Sequence, residues 1–195
     1  MSIDTIIRFT QLSDLKYIDS LAKKENKSLG FLPKVVYESA ITGYKPSIHR
    51  WSDKCGDKLW VAEENRELVG FVLAGFGKYG KVHQICIQED ARMLERGNLL
   101  LDAVTNYGER IGKMDYICGC ADDLESNIFW QAMEWVKVGH RKGISYKNVH
   151  NETSDRKINI YRWSMSDLGL LLPENRDLHK STMIPKLKEY LKERK

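Results

Sequence analysis

The 195-residue sequence contains no run of eighteen consecutive apolar residues, and its opening, MSIDTIIRFTQLSDLK, has no basic stretch leading into an apolar one. A spanning helix needs about twenty apolar residues and a secretory leader needs that charged-then-apolar order. Neither is expected, no membrane partner is implied, and a cytoplasmic location is the reading. Cysteine is sparse, with four residues at Cys55, Cys86, Cys118 and Cys120, mostly inside apolar runs. Reduced thiols follow, rather than a disulfide framework. Cys118 and Cys120 share one face of a strand and offer only two ligands, and no spacing completes a zinc set. They read as small buried apolar residues, and no metal is expected. Internal repeats and low-complexity segments are missing too.

Hydrophobic residues make up 42% and charged residues 30%, enough for one well-cored globular domain with a short appendage. The net charge of +4 permits an anionic partner without requiring one. The basic residues concentrate late: from Pro173 onward seven Lys or Arg face four Asp or Glu.

IIRFT (6–10) reads as a strand, followed by a helix N-capped at Ser13 with Leu15, Ile18, Leu21 and Ala22 at helical spacing. A second short helix has Pro33 in its first turn and Gly43 at its stop. After an aperiodic loop holding His49, Arg50 and Trp51, the segments KLWVAEEN, ELVGFVLAGFG and KVHQICIQ form a three-strand antiparallel meander with a turn near Asn65–Glu67. A helix running to Ile111 and ended by Gly112 joins the last of these to the strand DYICGCAD, a βαβ unit expected to be parallel and right-handed. A helix over ESNIFWQAMEWVKV, with Ile128, Phe129, Ala132, Met133 and Val136 on its apolar side, precedes the strands GISYKNV and KINIYRWSM. The domain is placed at 1–165. Residues 166–195 form an extension whose basic helix carries the stripe Ile184, Leu187, Tyr190 and Leu191, which makes a homodimer plausible.

One stretch carries the chemistry. ICIQEDARMLERGNLLLDAV (85–104) is a strand, a loop and the start of a helix, the arrangement that offers unpaired backbone N–H groups and a positive helix end to phosphate. The loop holds a single glycine, Gly97, and a carboxylate, Glu95. The order of elements and this loop resemble the GNAT superfamily of acyl-CoA-dependent N-acyltransferases, over most of residues 3–165. The family loop Q/R-x-x-G-x-G/A corresponds to Arg92-Met93-Leu94-Glu95-Arg96-Gly97, with Glu95 at the central glycine. FWQAMEWVKVGHRKG (129–143) is similar to the family's ending, with Trp130 at a frequent tyrosine and Glu134 at a usual turn glycine.

The resemblance implies an α/β fold of α+β type: a GNAT-like mixed, mostly antiparallel central sheet with a parallel βαβ unit, helices on both faces and a C-terminal helix. It implies acetyl-CoA or another acyl-CoA as cosubstrate, with Ile85, Cys86, Ile87, Arg92, Leu94, Glu95, Arg96, Gly97, Asn98, Asn127 and Trp130 as cofactor-binding positions. The family tyrosine protonates the departing thiolate in many relatives, and an indole cannot. An attacking amine must be neutral, so a base or a water relay has to take its proton. His83, Glu63 and Glu64 are the candidate catalytic residues, with His83 favoured because its strand should meet the acyl group. The acceptor cleft of the family corresponds to segments supplying Phe31, Tyr37, His49, Trp51, Tyr146 and Tyr161. The activity implied is acyl transfer, acetyl in the first instance, to a primary amine of a small molecule or protein. Aromatics interleaved with cations keep a nucleic-acid base amine open as acceptor. The altered loop and Trp130 keep open a GNAT-shaped binding protein without catalysis.

Overall fold

The computed structural model describes residues 4–30, 32–44, 57–92, 95–142 and 157–165, with Lys27 and Lys142 by backbone alone. The chain divides into two compact units, Met1–Met114 and Asp115–Lys195. The class is mixed α/β, and the strand pairs resolved within each unit are antiparallel. No described helix is long and apolar enough to cross a membrane.

In the first unit, β1 (Ile6–Phe9), β2 (Lys58–Glu64), β3 (Glu67–Phe76) and β4 (Gly80–Ile87) pair in succession. The β2–β3 connection turns through Asn65 and Arg66, both at positive φ (49° and 67°), the conformation that matches the twist of a tight hairpin. α1 (Leu15–Lys24) and α3 (Lys34–Thr42) bury Leu15, Ile18, Leu21, Val36 and Tyr37 against Leu59, Val61, Phe71 and Leu73. Each fully buried aliphatic side chain stabilises by about 1.5–3 kcal/mol before chain entropy is counted. α4 (Arg96–Arg110) buries Leu100, Leu101 and Val104, and its Tyr107 ring lies 5.6 Å from Trp60 and 5.0 Å from Phe76.

The second unit holds β5 (Asp115–Ala121), α5 (Leu124–Ala132), β6 (Val136–Lys142) and β7 (Lys157–Ser164), with β7 between β5 and β6. Cys118 and Cys120 are both buried.

Several local expectations change. The N-cap of α1 is Asp14, not Ser13, because Leu12–Asp14 forms a 3-10 turn. The Asp14 carboxylate accepts from Gln11 N (2.8 Å), closing a capping box on that 3-10 turn, and from Arg8 (2.8 Å), rather than capping α1. A one-turn helix α2 (Asn26–Leu29) precedes Gly30. Pro33 is the N-cap of α3 rather than a first-turn residue, and Gly43 closes that helix at φ 73°. α5 stops at Ala132: Glu134 turns to φ 65°, and Val136 begins β6. Helical periodicity read through to Val136 could not register that one backbone reversal. The segment GISYKNV and the extension 166–195 lie outside the described residues.

Candidate active site

β4 carries an extra residue. Leu73 pairs with Gln84 but the next β3 residue, Ala74, pairs with Val82, so His83 is the bulge. A bulge re-aims side chains. Gln84 meets the helix-covered face, where its Oε1 accepts from Tyr37 Oη (2.6 Å) and its Nε2 donates to Gly30 O (2.8 Å). His83 lies beside Gly75: a Cβ on Gly75 would sit 2.9 Å from His83 Nε2 and 2.5 Å from Asp57 Oδ1. Nε2 itself is 2.7 Å from Asp57 Oδ2. β2 begins opposite Ala74 (Lys58↔Ala74), which brings Asp57 alongside Gly75.

The other two base candidates are engaged elsewhere. Glu63 pairs with Arg8 (Nε to Oε2, 2.7 Å). Glu64 is buried and accepts from Arg96 through both carboxylate oxygens and from the Thr5 hydroxyl. The Arg96 hydrogen bonds hold the Glu64 carboxyl below its usual range, against burial, which acts the other way, and Thr5 adds to the lowering. A carboxylate so saturated is a poor proton acceptor.

The strand-to-helix loop keeps a glycine's backbone without the glycine. Glu95 stands immediately before α4 at φ 62°, its side chain exposed and making no cap hydrogen bond. Glu134, the second position where the resemblance expects glycine, also adopts positive φ (65°). Such a conformation costs a non-glycine residue about 1–2 kcal/mol. The flanking arginines face inward. Arg96 is 4% exposed, and its Nη1 donates to Ala91 O (2.6 Å) besides the Glu64 pair. Arg92 binds Glu25 (3.0 Å) and donates to Ile87 O (3.1 Å), tying the loop to the end of α1 and the end of β4. Gly97 and Asn98 lie in the first turn of α4, Asn98 reaching Asp102 at 3.3 Å. Ile85, Cys86 and Ile87 end β4, with Cys86 in the core and the two isoleucines half-buried. Leu94 lies outside the described residues.

Burial pushes the Cys86 and Cys120 thiols each up to about 12 and raises Cys118 well above its usual value. None of the three is a thiolate nucleophile near neutral pH.

The second unit has its own polar cluster. The Asn127 side chain donates to Asp123 O (2.5 Å) and Ala121 O (3.2 Å), and its Oδ1 accepts from Asn159 (2.7 Å) and from the Tyr161 hydroxyl (2.7 Å). Asn159 also donates to Asp122 (2.6 Å). With this much engaged, Asn127 organises the start of α5. Tyr161, expected to touch substrate, is fully buried and so is Tyr37. Their hydroxyls donate internally, Tyr161 to Asn127 and Tyr37 to Gln84. Trp130 is buried against Trp135 (4.7 Å) and Phe129 (5.2 Å). Phe31, His49, Trp51 and Tyr146 lie outside the described residues.

Asp57 and Gly75 were not singled out in the sequence. Their relevance comes from register and a bulge, and neither leaves a local pattern.

No protein-family model matches the sequence, and no curated relative does. Solved structures do match. The chain is similar to Arabidopsis thaliana NAA60 in complex with a bisubstrate analogue: TM-score 0.65, 12% identity, 83% of this chain and 98% of that one. A putative acetyltransferase of the GNAT family from Desulfovibrio desulfuricans gives TM-score 0.62 at 12% identity, covering 83% of this chain and 99% of that one. A putative streptothricin acetyltransferase from Bacillus anthracis, in complex with acetyl coenzyme A, gives 0.61 at 13%, covering 84% and 99%. The shared property is the fold.

Proposed function

We propose that this chain, which has the GNAT fold, is an N-acyltransferase that moves an acyl group, acetyl in the first instance, from acyl-CoA to a primary amine of a small molecule or protein. The observation that carries the reading is the left-handed backbone of Glu95 at the mouth of α4. A phosphate cradle is made of backbone N–H groups, so it needs a backbone shape rather than a glycine as such. Glu95 has that shape, and its carboxylate stands in solvent rather than in the fold. Complexes of similar folds with acetyl-CoA support the choice of cosubstrate.

Within this reading His83 is the base. It takes one proton from the ammonium form of the acceptor. The freed lone pair forms the N–C bond, the C–S bond breaks, and its electrons leave with sulfur. The thiolate takes up the second proton that the nitrogen sheds. The raised thiols of Cys86, Cys118 and Cys120 favour this direct transfer over an acyl-cysteine intermediate among the described residues. Backbone N–H groups near Ile85–Ile87 are the assigned donors to the thioester carbonyl.

The test is calorimetry with acetyl-CoA and longer acyl-CoAs, followed by CoA thiol release with a panel of small amines and peptide N-termini. Binding heat and amine-dependent release are expected. No heat with any acyl-CoA, together with no thiol release, overturns the reading.

A further inference from the structure

We propose that Asp57 is the positioning residue for His83: its buried Oδ2 holds the imidazole in the tautomer protonated on Nε2 and leaves the Nδ1 lone pair to accept the amine proton. The proposal rests on the N-acyltransferase reading above and adds a residue to its proton-transfer step.

Three observations converge. Asp57 Oδ2 is 2.7 Å from His83 Nε2, and the two side chains are only 11% and 9% exposed. Oδ2 is also removed from solvent and, among the described residues, accepts no in-line hydrogen bond. A buried acceptor left without a donor is unfavourable, the more so when it is charged. Nε2–H is the donor within reach, 2.7 Å from that oxygen. The opposite tautomer would set an imidazole lone pair against a carboxylate lone pair at that separation, so the electrostatics select one of the two neutral forms. Lastly, the pair occupies space that exists because residue 75 lacks a side chain. A Cβ there would come within 3.0 Å of three of its atoms: Asp57 Oδ1, Asp57 Cγ and His83 Nε2.

The surroundings give the ring a rigid seat. The His83 bulge is pinned on one side by Gln84, which Tyr37 and Gly30 hold. When Nδ1 takes the amine proton the neutral ring becomes an imidazolium, and the carboxylate of Asp57 faces the new charge. A buried aspartate that fixes the tautomer of a base histidine is an arrangement known from hydrolases. Here it is assembled from the start of β2, a glycine of β3 and a bulge of β4.

The experiment pairs a spectroscopic readout with a kinetic one. Long-range proton–nitrogen NMR of the wild-type protein, at a pH where His83 is neutral, should show the proton on Nε2. Asp57→Ala should mix the two tautomers and lower kcat by about tenfold to a hundredfold, with acyl-CoA affinity unchanged. Asp57→Glu should recover part of both signals. Gly75→Ala displaces the carboxylate without deleting it and should disturb the same NMR pattern, which guards against a misfolded Asp57→Ala. A wild-type ring protonated on Nδ1, or an Asp57→Ala enzyme with unchanged kcat, overturns the proposal. An Nε2–H pattern in a protein that releases no CoA thiol overturns the transferase reading and leaves the Asp57–His83 assignment standing.

Discussion

Two carboxylates of the first unit each face a nitrogen base, and they are satisfied to different degrees. Glu64 binds Arg96 through both oxygens and accepts from Thr5 as well, in a site sealed from solvent. Asp57 meets His83 through one oxygen that has no other partner among the described residues. The first pair uses its hydrogen-bonding capacity to join the end of β2 to the start of α4, and little is left for a proton in transit. The second keeps an unspent acceptor next to a ring that can gain a charge. In sequence, the adjacent Glu63 and Glu64 look more like a catalytic carboxylate pair than does an isolated Asp57. Saturation, not proximity in sequence, separates the structural carboxylate from the chemical one.

The sharpest way to break this comparison is Arg96→Met. If Glu64 is structural, removing its partner strands a buried charge and should cost about 3–5 kcal/mol, read as a fall in the urea midpoint. Glu64→Leu combined with Arg96→Met should restore most of it. A single variant within about 1 kcal/mol of wild type would show the pair to be dispensable. The same pair has a pH signature. Because Glu64 titrates lower in the fold than its ordinary value of 4.5, its contribution is complete above that value and fades as pH falls through the depressed one. Urea midpoints collected downward from neutral pH should therefore drop less steeply in the double variant.

Next in size is His83→Gln, expected to lower kcat by about a hundredfold, equivalent to about 2.7 kcal/mol, with acyl-CoA affinity and urea midpoint unchanged. A loss of stability instead would move His83 to the structural side of the comparison. Asn127→Ala then probes the polar cluster of the second unit. It removes the acceptor of the Tyr161 O–H, whose oxygen still accepts from Gln131, and of one Asn159 N–H, for about 2 kcal/mol by urea unfolding. The smallest effect belongs to Glu95→Gly. Relief of the left-handed backbone should raise stability by about 1 kcal/mol, and loss of a negative charge at the loop should tighten acyl-CoA binding in calorimetry. Weaker binding would mean that the carboxylate contacts the ligand favourably.

Much of the fold was legible. The meander, the turn at Asn65–Glu67, the stops at Gly43 and Gly112 and the strand around Ile117 all follow from alternation and turn chemistry acting over a few residues. The exceptions are instructive. The helix read through to Val136 failed because Glu134 reverses the backbone, and nothing in glutamate's own preferences announces a positive φ. Arg96 reads as a cofactor-binding position from its place in the loop the resemblance matches. The fold turned it inward, because a buried Glu64 needs a cation more than an exposed loop does. Tyr37 and Tyr161 read as substrate aromatics, and what the fold adds is that both are buried with hydroxyls donating to internal amides.

Local residue preferences by themselves determined the succession of strands and helices, the loop between β4 and α4, and the resemblance those carry, since each depends on interactions spanning a few positions. The tertiary structure alone decided which carboxylate is saturated and which is not. Strand register set Asp57 beside Gly75, and a one-residue bulge delivered His83 to the same spot. Pairing across 26 positions is chosen by the packing of whole sheet faces, so no short stretch of sequence carries it.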